Sequence, residues 1–173
     1  MYVFGKNPVL ELIDNKTIQI NKIWISENLS DKSFKDKIIS FAKENKVPFI
    51  LVPTNKLSAL VNGQNHQGVV LNTSPVEYLT LDEIIKDASS FKEKKDLAKR
   101  TILIANEIQD PHNLGAIIRT YAAGGGRNII LAGKSNVGLN PTVVKASAGG
   151  LFHINFTRAT NCNNVISKLK ENE

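Results

Sequence analysis

A lone cysteine, Cys162, rules out an internal disulfide and a cysteine-built zinc cage. It points to a reducing, cytoplasmic setting. No run of about 18 apolar residues occurs, so no membrane-spanning helix is expected. The opening Met1-Tyr2-Val3-Phe4-Gly5-Lys6-Asn7-Pro8 lacks the basic-then-apolar plan of a secretory leader. Arginine is absent from residues 1–74, where nine lysines face six acids. What is present suffices for a packed core. Of the 173 residues 42% are apolar and 22% charged, which fits one medium domain or two small ones and argues against wholesale disorder.

The formal charge is +6, split between two basic ends: residues 1–74 and 101–173 carry +3 each, and 75–100 is neutral. Such a balance suits a polyanionic partner such as RNA. A solvated, lysine-rich surface explains it equally well, because the lysines are scattered.

Periodicity predicts alternating strands and helices. Asn7 and Pro8 read as a helix cap and first-turn proline before Val9, Leu10, Leu12 and Ile13. Strands are expected at 22–26, 48–52 and 68–71, a helix over 33–45, and a short helix capped by Thr54. Together they form a compact α/β or α+β unit. Pro75 marks a boundary. Residues 81–100 read as an opening helix followed by a solvated loop, with a plain linker as the alternative. A second unit begins with the strand 101–105, a polar loop, a helix with Leu114, Ile117, Ile118 and Tyr121 on one face, and a strand at 128–132. Strand, helix and strand in this spacing make a βαβ unit with parallel pairing. Pro141 opens a further helix, 153–156 reads as a third strand and 165–170 as a last helix. Ile102, Leu103, Ile104, Ile117, Ile118, Ile129, Ile130 and Leu131 are the expected core of this unit.

Several familiar patterns fail. Gly133-Lys134-Ser135 resembles the end of a phosphate-binding loop, but position 128, where that loop needs glycine, is Asn128. Gly124-Gly125-Gly126 follows a helix instead of preceding one. His66, His112 and His153 lack metal-ligand spacing, so no metal site is expected. The dense polar set is the loop after Ala105, with Asn106, Glu107, Gln109, Asp110, His112 and Asn113, at the strand end where ligands of parallel sheets bind. Asp110 before Pro111 also reads as a plain helix cap.

The stretch from Glu107 through Asn113, Gly115 and Arg119 to Thr120 resembles the first signature of the SpoU (TrmH-type) RNA ribose methyltransferases. Residues 141–149, Pro-Thr-Val-Val-Lys-Ala-Ser-Ala-Gly, resemble the next signature of that family. Gly5-Lys6-Asn7-Pro8-Val9 and His66-Gln67-Gly68-Val69 resemble the small RNA-binding domain of its bacterial 23S ribosomal RNA guanosine-2′-O-methyltransferase subgroup. The resemblance implies an α/β chain in three parts. Residues 1–74 are a ribosomal-protein-like RNA substrate-binding domain, 75–100 a linker and opening helix, and 101–173 the first half of a Rossmann-like SPOUT domain that is knotted in full-length members. It implies S-adenosylmethionine as methyl donor, ribosomal RNA as partner and a homodimer for the full-length protein. Arg119, Asn113 and Glu107 are then catalytic, and Lys6, Asn7, His66, Gln67 and Lys145 contact RNA.

A guanidinium with a pKa above about 12 releases its proton reluctantly, so Arg119 is better suited to stabilise a forming alkoxide or to be oriented by a phosphate than to act as a literal base. Asn113 and Arg119 lie about 120° apart on an ideal helix and converge only if Asn113 sits at the cap, outside the regular turns. The later family signatures, a glycine-rich Gly-Glu-Gly loop and a Ser-Leu-Asn segment, are not found. The chain is therefore expected to be truncated and catalytically incomplete as it stands, with its donor-binding residues unknown. A non-catalytic module for structured RNA is the alternative.

Overall fold

The computed structural model describes residues 1–172 and resolves into two compact units, Met1–Val76 and Glu77–Glu173. Among the described residues no helix is long and apolar enough to cross a membrane.

The first unit runs β1 (Tyr2–Phe4), α1 (Lys6–Asn15), β2 (Ile20–Ser26), α2 (Lys32–Glu44), β3 (Phe49–Val52), α3 (Thr54–Leu60) and β4 (Val69–Thr73). Its sheet has the order β1-β4-β2-β3, antiparallel except for the β2/β3 pair. In-register Phe4, Val70 and Trp24 share one face, where Leu57 and Val61 of the α3 region cover them. Alternation puts Val3, Leu71 and Ile23 on the other face, fully buried. The apolar stripes of α1 and α2, including Val9, Leu12, Ile38 and Phe41, supply the rest of the core.

Two caps differ from the sequence expectation. Asn7 is the second residue of α1, and Gly5, at φ +92°, precedes the helix. The side chain of Gln67 accepts from the Lys6 N–H at 2.8 Å, a role that a local cap would otherwise fill. Pro53 occupies the cap position of α3, and the Thr54 hydroxyl bonds Ser26 Oγ at 2.8 Å instead.

The second unit opens with α4 (Leu81–Ser90), started by a capping box between Thr80 and Glu83. A 3₁₀ turn (Lys94–Asp96) and α5 (Leu97–Arg100) stand where a loop was expected. Then come β5 (Ile102–Asn106), α6 (Pro111–Ala123), β6 (Asn128–Ala132), α7 (Pro141–Ala146), a 3₁₀ turn (Gly150–His153), β7 (Asn155–Ala159) and α8 (Cys162–Lys170). The three strands are parallel in the order β5-β6-β7. His153 thus belongs to a turn, and the third strand starts two residues later.

Ile84 of α4 and Val165 of α8 pack with Ile130 and Ala132 on one face of this sheet. Leu114 and Ile118 of α6 are also fully buried. The core expectation is corrected in part. Ile118, Ile129, Ile130 and Leu131 are buried, but Ile102, Leu103, Ile104 and Ile117 are only half-buried. Among the described residues β5 is an edge of its sheet, and an edge strand keeps part of its surface in solvent.

Candidate functional site

The carboxyl edge of the parallel sheet carries the polar loop. β5 ends at Asn106, and the next residue, Glu107, takes a left-handed backbone at φ +55°. Its N–H still reaches the Ala132 carbonyl at 3.0 Å, so pairing with β6 continues one residue past the strand. Gly133, at φ +93°, lies against this turn. A Cβ there would come within 2.5 Å of Glu107 Cγ. Its N–H donates to the Ala159 carbonyl, tying the end of β6 to the end of β7.

Asn136 laces the first two loops together. Its Oδ1 accepts from the Ile108 N–H at 2.9 Å, its amide donates to the Ala132 carbonyl, and Val137 N–H donates to the Ile108 carbonyl at 2.8 Å. Sequence reasoning missed this residue. Its only local signal is an asparagine in a loop, and asparagines commonly bond loop backbone.

The α6 helix begins at Asp110, whose carboxylate accepts from the Asn113 N–H at 2.8 Å, with Pro111 as its first residue. Asn113 is therefore the third helical residue and not the cap. The condition for convergence is not met: Asn113 and Arg119 lie about 120° apart around the axis and about 9 Å apart along it. Both are exposed, and Glu107 is exposed as well. Among the described residues the Arg119 guanidinium has no hydrogen-bond or ion-pair partner.

Glycines set how α6 sits. A Cβ on Gly115 would come within 2.3 Å of Ala146 Cβ and 3.0 Å of the Ala146 and Ser147 backbone. The helix therefore meets α7 with no room for a side chain. One turn on, Gly150 approaches the Arg119 Cα, to 3.4 Å from where a Cβ would stand. Asn140 caps α7 by accepting from the Val143 N–H, and Lys145 is half-buried in its last turn.

The remaining candidates lie in the first unit. Lys6 and Gln67 come together through the bond already described, and Lys6 Nζ pairs with Asp31 at 2.7 Å. Hydrogen bonds from Lys6 and from the Phe34 N–H hold the Asp31 carboxyl below the usual carboxylate range. Asn7 is exposed beside Lys6. His66 is the fourth candidate in this unit. It is buried, its Nδ1 accepts from the Gly68 N–H at 3.0 Å, and its Nε2 is 3.2 Å from the Ser58 hydroxyl. A ring so placed shapes the 65–68 loop and leaves the surface to Gln67. No group of three or more His, Cys, Asp or Glu side chains suited to a metal ion occurs among the described residues.

Comparison with known proteins completes the description. A family model described as RNA 2′-O ribose methyltransferase substrate binding matches residues 2–79, and the SpoU rRNA methylase family model matches residues 100–173. The putative TrmH family tRNA/rRNA methyltransferase YacO of Bacillus subtilis is 38% identical over 170 residues, covering 98% of this chain and 65% of its own length. A putative TrmH family relative from Staphylococcus haemolyticus is 39% identical with the same coverage. The chain thus spans 65% of the length of these relatives. Among solved structures, the SpoU methyltransferase AviRb of Streptomyces viridochromogenes, in complex with AdoMet, superimposes with a TM-score of 0.71 at 19% identity, covering 99% of this chain and 58% of AviRb. An AdoMet-bound rRNA methyltransferase from Sinorhizobium meliloti gives 0.70 at 22% identity, covering 98% and 57%. These likenesses concern the fold.

Proposed function

This chain belongs to the SpoU (TrmH-type) family, and from that membership we propose that it serves a methyltransferase acting on ribosomal RNA. The reaction moves a methyl group from S-adenosylmethionine to a ribose 2′-hydroxyl, with a guanosine of 23S ribosomal RNA as the target. The reading is carried by one observation. The Asn113-x-Gly115-x-x-x-Arg119 helix directly follows β5 and presents an exposed arginine with no partner among the described residues.

The carboxyl edge fits the donor in kind. Glu107 offers an exposed carboxylate, suited to ribose hydroxyls or a sulfonium charge, and Gly133 leaves room for its side chain to lie against the end of β6. S-adenosylmethionine supplies a methyl carbon made electrophilic by its sulfonium. Arg119 acts on the other reactant. Its planar fork holds the RNA phosphate next to the target ribose and stabilises negative charge as the 2′-oxygen loses its proton. Asn113, displaced along the helix from Arg119, positions RNA at the mouth of the loop instead of touching the guanidinium. In the first unit Lys6, Asn7 and Gln67 form the RNA-facing surface, with His66 holding its loop; Lys145 adds a cation in the second unit. A homodimer is the proposed working form.

The test is to map ribosomal RNA 2′-O-methyl groups in cells of the source organism with and without the gene. Loss of one methyl mark, restored by the gene, is the expected result. An unchanged methylation map would refute the reading.

A further inference from the structure

A cleft of about 380 Å³ opens in the first unit where the carboxyl end of β2 meets the end of β3 and the start of β4. It falls at the lower end of ligand-site volumes, roughly 300–1,000 Å³. Lys6, Asn28, Leu29, Asp31, Thr54 and Gln67 are among the residues that line it.

Its shape is built by backbone features that local sequence alone does not require. Gly68 has φ +82°, and a Cβ there would come within 2.6 Å of Leu29 Cδ1, so glycine lets the leucine lie against the 65–68 loop. Gln67 holds a left-handed backbone at φ +51°, uncommon for a residue with a side chain. That conformation places its Oε1 on the Lys6 N–H, 61 residues away in sequence. His66 fixes the same loop from below through Gly68 and Ser58.

The chemistry of the lining selects against a phosphate. Lys6 and Asp31 are paired with each other, so the lining offers an anion no free cation. What remains are amide and hydroxyl groups, able both to donate and to accept, next to the apolar side of Leu29. The Gln67 Nε2 has no hydrogen-bond partner among the described residues. Such a lining suits a neutral, flat group with hydrogen-bonding edges. The two helices that contribute Phe34 and Thr54 to the lining also carry exposed lysines, Lys32 in the first turn of α2 and Lys56 near the start of α3, cations of the kind that hold phosphates.

We infer that this cleft receives one unstacked nucleotide of the RNA substrate, reading the edge of its base through Asn28, Thr54 and Gln67 while lysines of α2 and α3 hold the flanking phosphates. The inference rests on the RNA-binding reading of the first unit and adds to it a preference for RNA with an unpaired residue. Sequence-selective RNA recognition typically works on splayed bases of this kind.

The test uses the full chain and two RNA hairpins of equal length, one fully paired and one carrying a single 2-aminopurine bulge. Binding is followed by anisotropy and by 2-aminopurine emission. The wild-type chain is expected to bind the bulged hairpin roughly tenfold more tightly, with a change in emission on insertion. Ser30→Trp, at an exposed position on the cleft rim, fills the space, and Asn28→Ala removes an edge-reading amide. Both should bring the preference close to one with an unchanged circular dichroism spectrum. Equal binding of the two hairpins by the wild-type chain would overturn the cleft assignment and leave RNA binding intact. A preference surviving in both folded variants would also overturn it. Binding of neither hairpin would overturn the RNA-binding reading of the unit as well. Displacement of the bulged hairpin by free nucleoside monophosphates at comparable concentration would identify a mononucleotide site and overturn the assignment to RNA.

Discussion

Replacing Gly115 with alanine separates packing from helix propensity. Judged by propensity alone, Gly115→Ala should stabilise a helix interior by about 1 kcal/mol. The structure reverses the sign. The added methyl would stand 2.3 Å from Ala146 Cβ and 3.0 Å from the Ala146 carbonyl carbon and the Ser147 nitrogen at the end of α7. Carbon atoms settle near 3.7 Å, so α6 and α7 must part by about 1.4 Å. α7 has little freedom to yield, because Val143 and Val144 are buried on its inner side. Overpacking of this kind costs about 3 kcal/mol, the upper end of the usual range, which leaves about 2 kcal/mol of net destabilisation. In a unit of about 100 residues each kcal/mol lowers the melting temperature by about 4–8 °C, so scanning calorimetry should show a fall of roughly 8–16 °C. Gly124→Ala is the control. Its new methyl meets nothing closer than 3.5 Å and its φ of −76° suits alanine. It should stay within about 0.5 kcal/mol of wild type. A Gly115→Ala chain that melts at or above the wild-type temperature would refute the reasoning.

Arg119→Ala, introduced into the gene in the source organism, should lower ribosomal RNA methylation by about a hundredfold while the chain stays folded. Arg119→Lys should do nearly as badly, because an ammonium lacks the planar fork; near-normal methylation in either would remove Arg119 from the chemistry. Asp31, followed by carboxyl NMR, should titrate below the usual carboxylate range. A carboxyl depressed on folding adds stability above its unfolded value and loses it as pH falls through the folded one. Lys6→Ala should move the Asp31 titration up toward the ordinary value without reaching it, since the Phe34 N–H still donates; no movement would mean that the ion pair does not form in solution.

The strand and helix order was legible because each element carries its own periodicity and stops. Asp110-Pro111 and Pro141 mark helix starts, and the Asp110 cap forms as that local chemistry demands; Asn140 caps the helix at Pro141 in the same way. The start of α1 was not legible. Its first free N–H is taken by Gln67, so Asn7 never needs to cap, and no local pattern shows a partner so distant. The three-residue β1 is of the same sort. It exists through pairing with β4, some 70 residues on. At the site, the polar loop after β5 was legible as a cluster, whereas the lacing by Asn136 depends on two loops meeting across neighbouring strands. The run Ile102-Leu103-Ile104 shows a capacity for burial, but strand order decides how much is realised. β6, in the middle, is buried along its whole length, and β5, beside it, is not.

The spacing within the signature helix follows from packing. Gly115 and Arg119 are four residues apart and so share one face of α6. That face meets α7 at Gly115 and the Gly149–Gly150 turn at the Arg119 backbone. Glycine is needed where the helices touch, and the arginine, one turn later, leaves the contact with its side chain exposed at the rim. The turn below it is held by Ala148 and Gly149, both at positive φ. The backbone under Arg119 is thus fixed from two sides while its guanidinium stays open to a ligand. Asn113, two residues before Gly115, belongs to a different face and to the capped first turn. Its place in the pattern therefore has a separate origin. The Gly115–Arg119 interval positions a cation on a rigid seat, and Asn113 marks the entrance of the loop that begins at Glu107.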